Sequence, residues 1–415
     1  MFHIAFVSIA LAGVFYFLRR PLGAFPLGYF SSLIWFVPAF FPTYPIDDEA
    51  YFYYLACLIA IVAGDVLFGW RRKNKSVSQT GRKDVASWSA ILATFVVLGA
   101  LYLPSVSITS LALGKANDQA GGVVYYSFAT SLSFLAVAGL YFRKRWALAV
   151  AAMCYAEILL SGDRTQIVLT AIASAIFLSS GKCISPLSLV RRLRFAWLAA
   201  FILLAIVGIY GKTIYGAFFD SLNGATFSSA IEHRYSSSES FADKFEPYHT
   251  QMIMQLAVSR GDRISPDYLL SVPLQFLPWS GSLGGDVHAQ SEMLKKMYFS
   301  GWSDSSGVAS NFLAEGYLVG GTAGVTFFIF LYVFGLAIFS KMLSLTTALI
   351  PRIGSSLGAA FWAFYIHRCS LLQMIGHEKR VVYFSLFLVI VCAMFLIMRR
   401  SFGGAGSRSD DGRDG

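Results

Sequence analysis

The chain is written in apolar blocks of roughly 20 residues, the length a helix needs to cross the hydrocarbon of a bilayer. Short basic or Gly/Pro-bearing breaks separate them. A soluble helix would show one apolar stripe and one wet face. Helices are the required element, because every backbone group must be satisfied inside lipid. The period-two alternation of a transmembrane barrel is absent. The pattern predicts spans over residues 2–18, 22–41, 50–70, 87–106, 123–142, 146–160, 166–181, 195–215, 308–340, 357–374 and 381–398. The block at 308–340 is too long for one straight span and is expected to begin with a re-entrant or interfacial turn around Gly316–Gly324.

The fold class read from this pattern is an all-α polytopic membrane protein with about eleven transmembrane helices. Residues 1–215 hold helices one to eight, 216–306 form one large polar loop, 307–400 hold helices nine to eleven, and 401–415 read as a disordered tail. Inside the loop, Pro247–Ser259 reads as a helix, with Met252, Leu256 and Ser259 against the membrane domain and Gln251 and Gln255 nearby.

Composition agrees: 56% of residues are hydrophobic and 13% charged, about half the usual charged share. The net charge of +10 does not point to nucleic acid, because the Lys and Arg residues sit in short turns between apolar blocks. One set of connections holds 21 of the 33 basic residues, and the positive-inside rule places that set in the cytoplasm. The N-terminus is then expected outside, the C-terminus inside, and the long loop on the periplasmic face of an inner membrane. Phe2–Leu18 lacks a basic segment ahead of it and is followed by Arg19 and Arg20, as expected of an inserted helix. The five cysteines include no CxxC pair, which gives neither a disulfide framework nor a thiolate metal motif.

Three constellations can carry chemistry. The first is the turn Ser161–Gly162–Asp163–Arg164–Thr165, where Arg164 stands at headgroup depth and can take a phosphate in bidentate fashion. Its structural alternative is an interfacial arginine paired with Asp163 or Glu157. The second is the loop, with Glu232–His233–Arg234, Arg260–Gly261–Asp262–Arg263 and Asp286–Val287–His288. Paired arginines clamp pyrophosphates, and a histidine serves as a base near neutral pH. The histidines lack HxxxH or HExxH spacing, so no metal site is expected. The third runs from Ser310 through Glu315, Tyr317 and Gly320 to Gly324. A glutamate entering an apolar block needs a partner or an aqueous cavity; a structural ion pair with Arg164 or a loop arginine is the alternative to catalysis. Asp65 is expected to pair with Arg71 or Arg72, and Arg368, His377, Glu378, Lys379 and Arg380 to form the last outer turn.

These pieces together resemble the Wzy-type O-antigen and exopolysaccharide polymerases. The turn Ser161–Thr165 is similar to their Gly-x-Arg turn. Asp267–Tyr268–Leu269–Leu270–Ser271–Val272–Pro273 with Pro278 is similar to their Tyr-Leu…Pro loop pattern. Ser310 through Glu315, Tyr317, Gly320 and Gly324 is similar to their Ser…Glu-x-Tyr…Gly…Gly segment. The likeness covers about residues 145–340; before that it is hydropathy alone. Val319 stands where the family often has Asn, and no catalytic role is assigned there.

The resemblance implies a GT-C-like glycosyltransferase without cofactor or essential metal. Its substrate would be an oligosaccharide repeat on undecaprenyl pyrophosphate. Its partners would be that glycan, membrane lipids and, in some systems, a chain-length regulator. The chemistry then assigns Arg164, Arg260 and Arg263 to the pyrophosphate and Glu315 or His288 to the base. His233, Arg234 and Tyr317 are secondary candidates, and Trp279, Tyr298 and Trp302 are candidates to stack on sugar rings. An O-antigen ligase, a transporter or flippase of the lipid-linked unit, and a scaffold of an envelope-synthesis complex stay open as alternatives.

Overall fold

A computed structural model of the chain describes residues 2–41, 46–69, 81–105, 122–160, 165–182, 184–188, 217–218, 220–221, 224, 226–236, 246–277, 297–298 and 310–403. They are almost entirely helical, with no strand among them. The helices are α1 (Phe2–Leu18), α2 (Ala24–Trp35), α3 (Asp48–Phe68), α4 (Gly81–Tyr102), α5 (Gly122–Tyr141), α6 (Arg145–Leu160), α7 (Thr165–Lys182), α8 (Phe227–Ser236), α9 (Glu246–Arg260), α10 (Val272–Gln275), α11 (Phe312–Leu345), α12 (Leu349–Phe364) and α13 (Leu371–Gly403). Five contain a stretch long and apolar enough to cross a membrane: α3, α4, α5, α11 and α13. Helices α1 and α7 are apolar but shorter. The chain is an all-α membrane protein. The expected span 195–215 lies outside the described residues.

Contacts divide the chain into two compact units. Unit 1 takes Met1–Lys73, Leu178–Ser344 and Gly358–Lys379; unit 2 takes Asn74–Phe177, Leu345–Leu357 and Arg380–Gly415.

In unit 1, α1, α2 and α3 pack on one another. Small residues let them close: a Cβ on Gly13 would stand 2.0 Å from the Tyr29 hydroxyl, which donates to the Ala10 carbonyl at 2.9 Å. Asp65 pairs with Arg20 at 3.1 Å and accepts from the Tyr16 hydroxyl at 2.8 Å. Packing of α1 on α3 brings the end of α1 to Asp65; the expected partners Arg71 and Arg72 lie outside the described residues. The expected span 22–41 is also interrupted. Helix α2 stops at Trp35, and Val37–Phe40 continues as a 3-10 turn containing Pro38, which has no backbone donor to continue an α-helix.

The loop helix α9 forms where the sequence placed it. Its buried face is Pro247, Thr250, Gln251, Ile253, Met254 and Ala257. That face is rotated from the expected one, and Ser259 is exposed. Polar ties set the rotation: Gln255 Oε1 accepts from the Asp47 amide at 2.8 Å, and Glu246 pairs with Arg368 at 2.6 Å.

Helix α11 breaks at Gly320 (φ −151°, ψ 20°) and Gly321 (φ 59°, ψ −141°). In a straight helix, residues 316 and 324 would lie about 12 Å apart at 1.5 Å per residue. Here a Cβ on Gly324 would stand 2.0 Å from the Gly316 carbonyl oxygen. The segment before the break therefore folds back along the segment after it, as the sequence expected for this block.

Around His367, α2, α11 and α12 meet. The Ser32 and Tyr332 hydroxyls lie 3.1 and 3.2 Å from His367 Nε2, and the Phe312 ring centroid stands 5.0 Å from the imidazole. Tyr332 also donates to the Ala363 carbonyl at 3.0 Å.

The chain turns at residues 365–370, and His377, Glu378, Lys379 and Arg380 lie in the first turns of α13. They are not the outer turn that the charge pattern suggested. The cause is a reciprocal cap. The Gln373 amide donates to Ser370 Oγ and the Ser370 amide to Gln373 Oε1, each at 3.3 Å. This is a capping box, and it starts a helix at Leu371.

In unit 2, α5 packs against α4 and α6. Tyr102, Tyr125, Phe128 and Leu132 build its core, with the Tyr102 and Phe128 rings stacked at 4.7 Å. Glu157 accepts from the Tyr102 hydroxyl at 2.9 Å. Arg352 is buried, donates to the Phe177 carbonyl at 3.2 Å and lies over the Phe177 ring.

Gly324→Ala is expected to destabilise the protein by about 3 kcal/mol or more, because backbone cannot yield as a side-chain tip can. Gly320→Ala, whose Cβ meets nothing within 4 Å, is expected to cost under about 1 kcal/mol. Thermal unfolding in lipid nanodiscs reads both. Equal losses would show that the hairpin does not rest on this contact.

Candidate functional site

At the hairpin break two of the candidate residues, Arg263 and Tyr317, meet within unit 1. Helix α9 ends at Gly261, whose φ of 65° lets the chain leave the helix; its amide bonds back to the Ala257 carbonyl at 3.1 Å. The next residues run beside the hairpin, and the Ile264 amide donates to the Leu318 carbonyl at 2.8 Å. That bond sets Arg263 across the break. Its guanidinium carbon lies 4.4 Å from the Tyr317 ring centroid. Its Nη2 stands 3.0 Å from where a Cβ on Gly321 would be. A side chain at 321 would therefore meet Arg263 as well as the backbone strain of a positive φ.

Arg260 is braced separately. Its guanidinium lies 5.5 Å from the Tyr298 ring centroid and donates to the Met297 carbonyl at 3.4 Å. The Tyr298 hydroxyl donates to Asp262 Oδ2 at 2.9 Å. Burial, then the Asp262 hydrogen bond, pushes the Tyr298 hydroxyl above its ordinary pKa, so it stays a donor. Both arginines are exposed. Their cationic ends rest on aromatic faces while the remaining N–H donors are open to a ligand.

The far side of the break is held by α3. The Tyr53 hydroxyl lies 2.8 Å from Thr322 Oγ1 and also bonds Glu49, and the Tyr53 and Tyr317 ring centroids are 6.0 Å apart. The exposed Arg263 guanidinium thus lies across the broken helix, and the exposed Arg260 stands three residues before it at the end of α9. That combination favours an anion with several oxygens, such as a phosphate or pyrophosphate.

Glu315 sits two residues before Tyr317 but does not join this surface. It is buried, and both its carboxylate oxygens accept from the Leu371 amide, at 3.0 and 3.3 Å. Its oxygens satisfy the first amide of α13, which has no partner within its own helix. The carboxylate therefore ties the hairpin to the last helix.

Of the other candidates, Arg164 and His288 lie outside the described residues, as do Trp279 and Trp302. His233 and Arg234 belong to α8, and their side chains are not among those described. Sequence reasoning missed Tyr53 as part of the site; Thr322 lies within the Ser310–Gly324 stretch it named. Tyr53 carries no signal beyond being a tyrosine within an apolar span. The Ser370–Gln373 capping box was there to be read, as Ser-x-x-Gln ahead of an apolar run.

Comparison with protein-family models, curated proteins and solved structures gives no match.

Glu315→Ala is expected to cost about 3 kcal/mol, since it leaves a buried helix amide without its acceptor. Glu315→Gln keeps an acceptor oxygen and should lose about 1 kcal/mol. The difference is measured as the shift in unfolding temperature in nanodiscs. Equal losses would remove the capping role.

Proposed function

We propose that this chain is an inner-membrane glycosyltransferase that polymerises oligosaccharide repeats carried on undecaprenyl pyrophosphate, with the eleven-span, GT-C-like organisation that the hydropathy pattern suggests. The observation that carries the reading is the pair of exposed arginines that leaves the end of α9, Arg260 braced on Tyr298 and Arg263 on Tyr317 at the broken helix. The resemblance of the Ser310–Gly324 segment to Wzy-type polymerases supports it, as does the charge bias that puts the long loop on the periplasmic side.

In this reading an acceptor sugar hydroxyl attacks the anomeric carbon of the donor glycan. The bond from that carbon to the pyrophosphate oxygen breaks, and the lipid pyrophosphate leaves with the electron pair. Negative charge grows on the leaving oxygens, and fixed guanidiniums stabilise it without reorganising. Arg260 and Arg263 supply that charge, and Arg164 is the third candidate. The hydroxyl proton passes to a base, for which His288 is the first candidate. Glu315, with its carboxylate on the Leu371 amide, acts as a positioning residue for Tyr317 and the break.

The test is complementation of a deletion strain, read as the ladder of lipid-linked polymer, with membrane levels of each variant measured alongside. Arg263→Ala and Arg260→Ala are each expected to lower polymerisation by about 10²–10³-fold, and Arg164→Ala to abolish long chains. Full-length polymer from Arg263→Ala would remove the phosphate role. A deletion strain that still carries the full ladder on its lipid carrier would assign the chain to ligation instead.

A further inference from the structure

Helix α1 carries an apolar face that its packing on α2 and α3 leaves open. Ile4, Leu11 and Phe15 are 72%, 52% and 66% exposed. Their places in the sequence put them on one side of a helix. Arg19 is the first residue beyond α1 and continues the same side. At 1.5 Å per residue, Phe15 lies about 6 Å and Leu11 about 12 Å before it along the axis. Both distances fall within one leaflet, which is half of a hydrocarbon core about 30 Å thick.

Where this face ends, the structure has a cavity of about 360 Å³, lined among the described residues by Phe15, Tyr16, Arg19 and Arg20. Pockets of roughly 300–1,000 Å³ hold small ligands. The two arginines play different parts. Arg20 is committed: it pairs with Asp65 at 3.1 Å, donates to the Tyr16 hydroxyl and lies over the Tyr16 ring at 4.7 Å from its centroid. Arg19 is exposed, and the carboxylate beside it is taken by its neighbour. Two guanidiniums and one carboxylate leave one positive charge over.

The connections around the cavity agree with an interfacial position. Asp65 stands in the last turn of α3, and the Leu22 amide donates to the Ile184 carbonyl just past α7 at 2.9 Å. The ends of α1, α3 and α7 therefore meet here, and the charge bias assigns all three to the cytoplasmic side. Such a place suits a phosphodiester that brings one negative charge and no cation. A choline or ethanolamine headgroup would carry a further cation to a cavity that already holds two guanidiniums. A glycerol headgroup brings only hydroxyls. We propose that this cavity holds the phosphate of an anionic phospholipid, with an acyl chain laid along Phe15, Leu11 and Ile4. The site uses neither the loop arginines nor the broken helix, so it stands apart from the glycan reading.

The test puts the photo-crosslinker p-benzoylphenylalanine in place of Phe15 in the full chain. The protein sits in nanodiscs of equal parts phosphatidylglycerol and phosphatidylcholine with matched acyl chains, and lipid adducts are counted by mass spectrometry. The control carries the crosslinker at Phe330, an exposed ring with no basic residue within two turns. Phosphatidylglycerol adducts are expected to exceed phosphatidylcholine adducts severalfold at position 15 and to equal them at 330. Equal ratios at both positions overturn the proposal. Arg19→Gln is expected to bring position 15 down to the control, and Arg19→Lys to keep most of the preference. A preference that survives Arg19→Gln overturns the phosphate site. Millimolar inorganic phosphate at constant ionic strength is expected to change nothing; loss of the preference on its addition assigns the cavity to a soluble phosphate and overturns the lipid.

Discussion

Two backbone segments touch at Gly316 and Gly324 with no room for a side chain at 324, and much of unit 1 depends on that contact. It requires glycine at 324 and leaves a side chain at 316 crowded, with a Cβ there 3.0 Å from the Gly324 carbonyl oxygen. It lets the chain reverse at Gly320–Gly321 inside an apolar block where a straight helix would otherwise continue. The reversal sends Glu315 to the start of the last helix and Tyr317 to the loop arginine. It also brings Thr322 to Tyr53. A bulky residue at either glycine would separate these three contacts together, because one rigid hairpin carries all of them.

The loop is bound to this frame at several points. Glu246 holds Arg368, Gln255 holds Asp47, Ile264 bonds Leu318, and Lys379 donates to the Leu277 carbonyl at 3.0 Å. None of these alone contributes much, since exposed pairs are each worth about 1 kcal/mol or less. Their effect is geometric: together they fix the rotation of the Glu246–Arg260 helix and deliver Arg260 and Arg263 at its end. Exposed guanidiniums on a fixed helix end lose less freedom when an anion arrives than the same residues on a free tether.

Some of this was legible in the residues. Among the described residues hydropathy located the five helices long and apolar enough to cross a membrane, because lipid demands long uninterrupted runs. The cluster of glycines inside an over-long block marked the reversal, since only a break could fit it. The loop helix announced itself between Pro247 and Ser259. What failed had physical causes. The face of that helix was misjudged because Gln255 and Glu246 turn it with polar ties to distant residues, which periodicity cannot register. Charges at 377–380 looked like a turn, yet Ser370 and Gln373 begin the helix earlier. For the site, the arginines and Tyr317 could be named as candidates from residue type and order. Their meeting depends on one backbone bond, from Ile264 to Leu318, that no pattern encodes.

The bond between Glu315 and Leu371 spans 56 residues of sequence, and that separation bears on how the protein is made. The glutamate enters the bilayer before its partner amide exists. Synthesis at about 5–20 residues per second leaves the carboxylate waiting for about 3–11 s. During that interval the hairpin lacks its anchor, and the half-made chain must keep an acidic group solvated at the membrane edge. The last helix is therefore the step that locks the earlier ones, and a nascent chain arrested ahead of it would hold every residue of the hairpin without its final fastening.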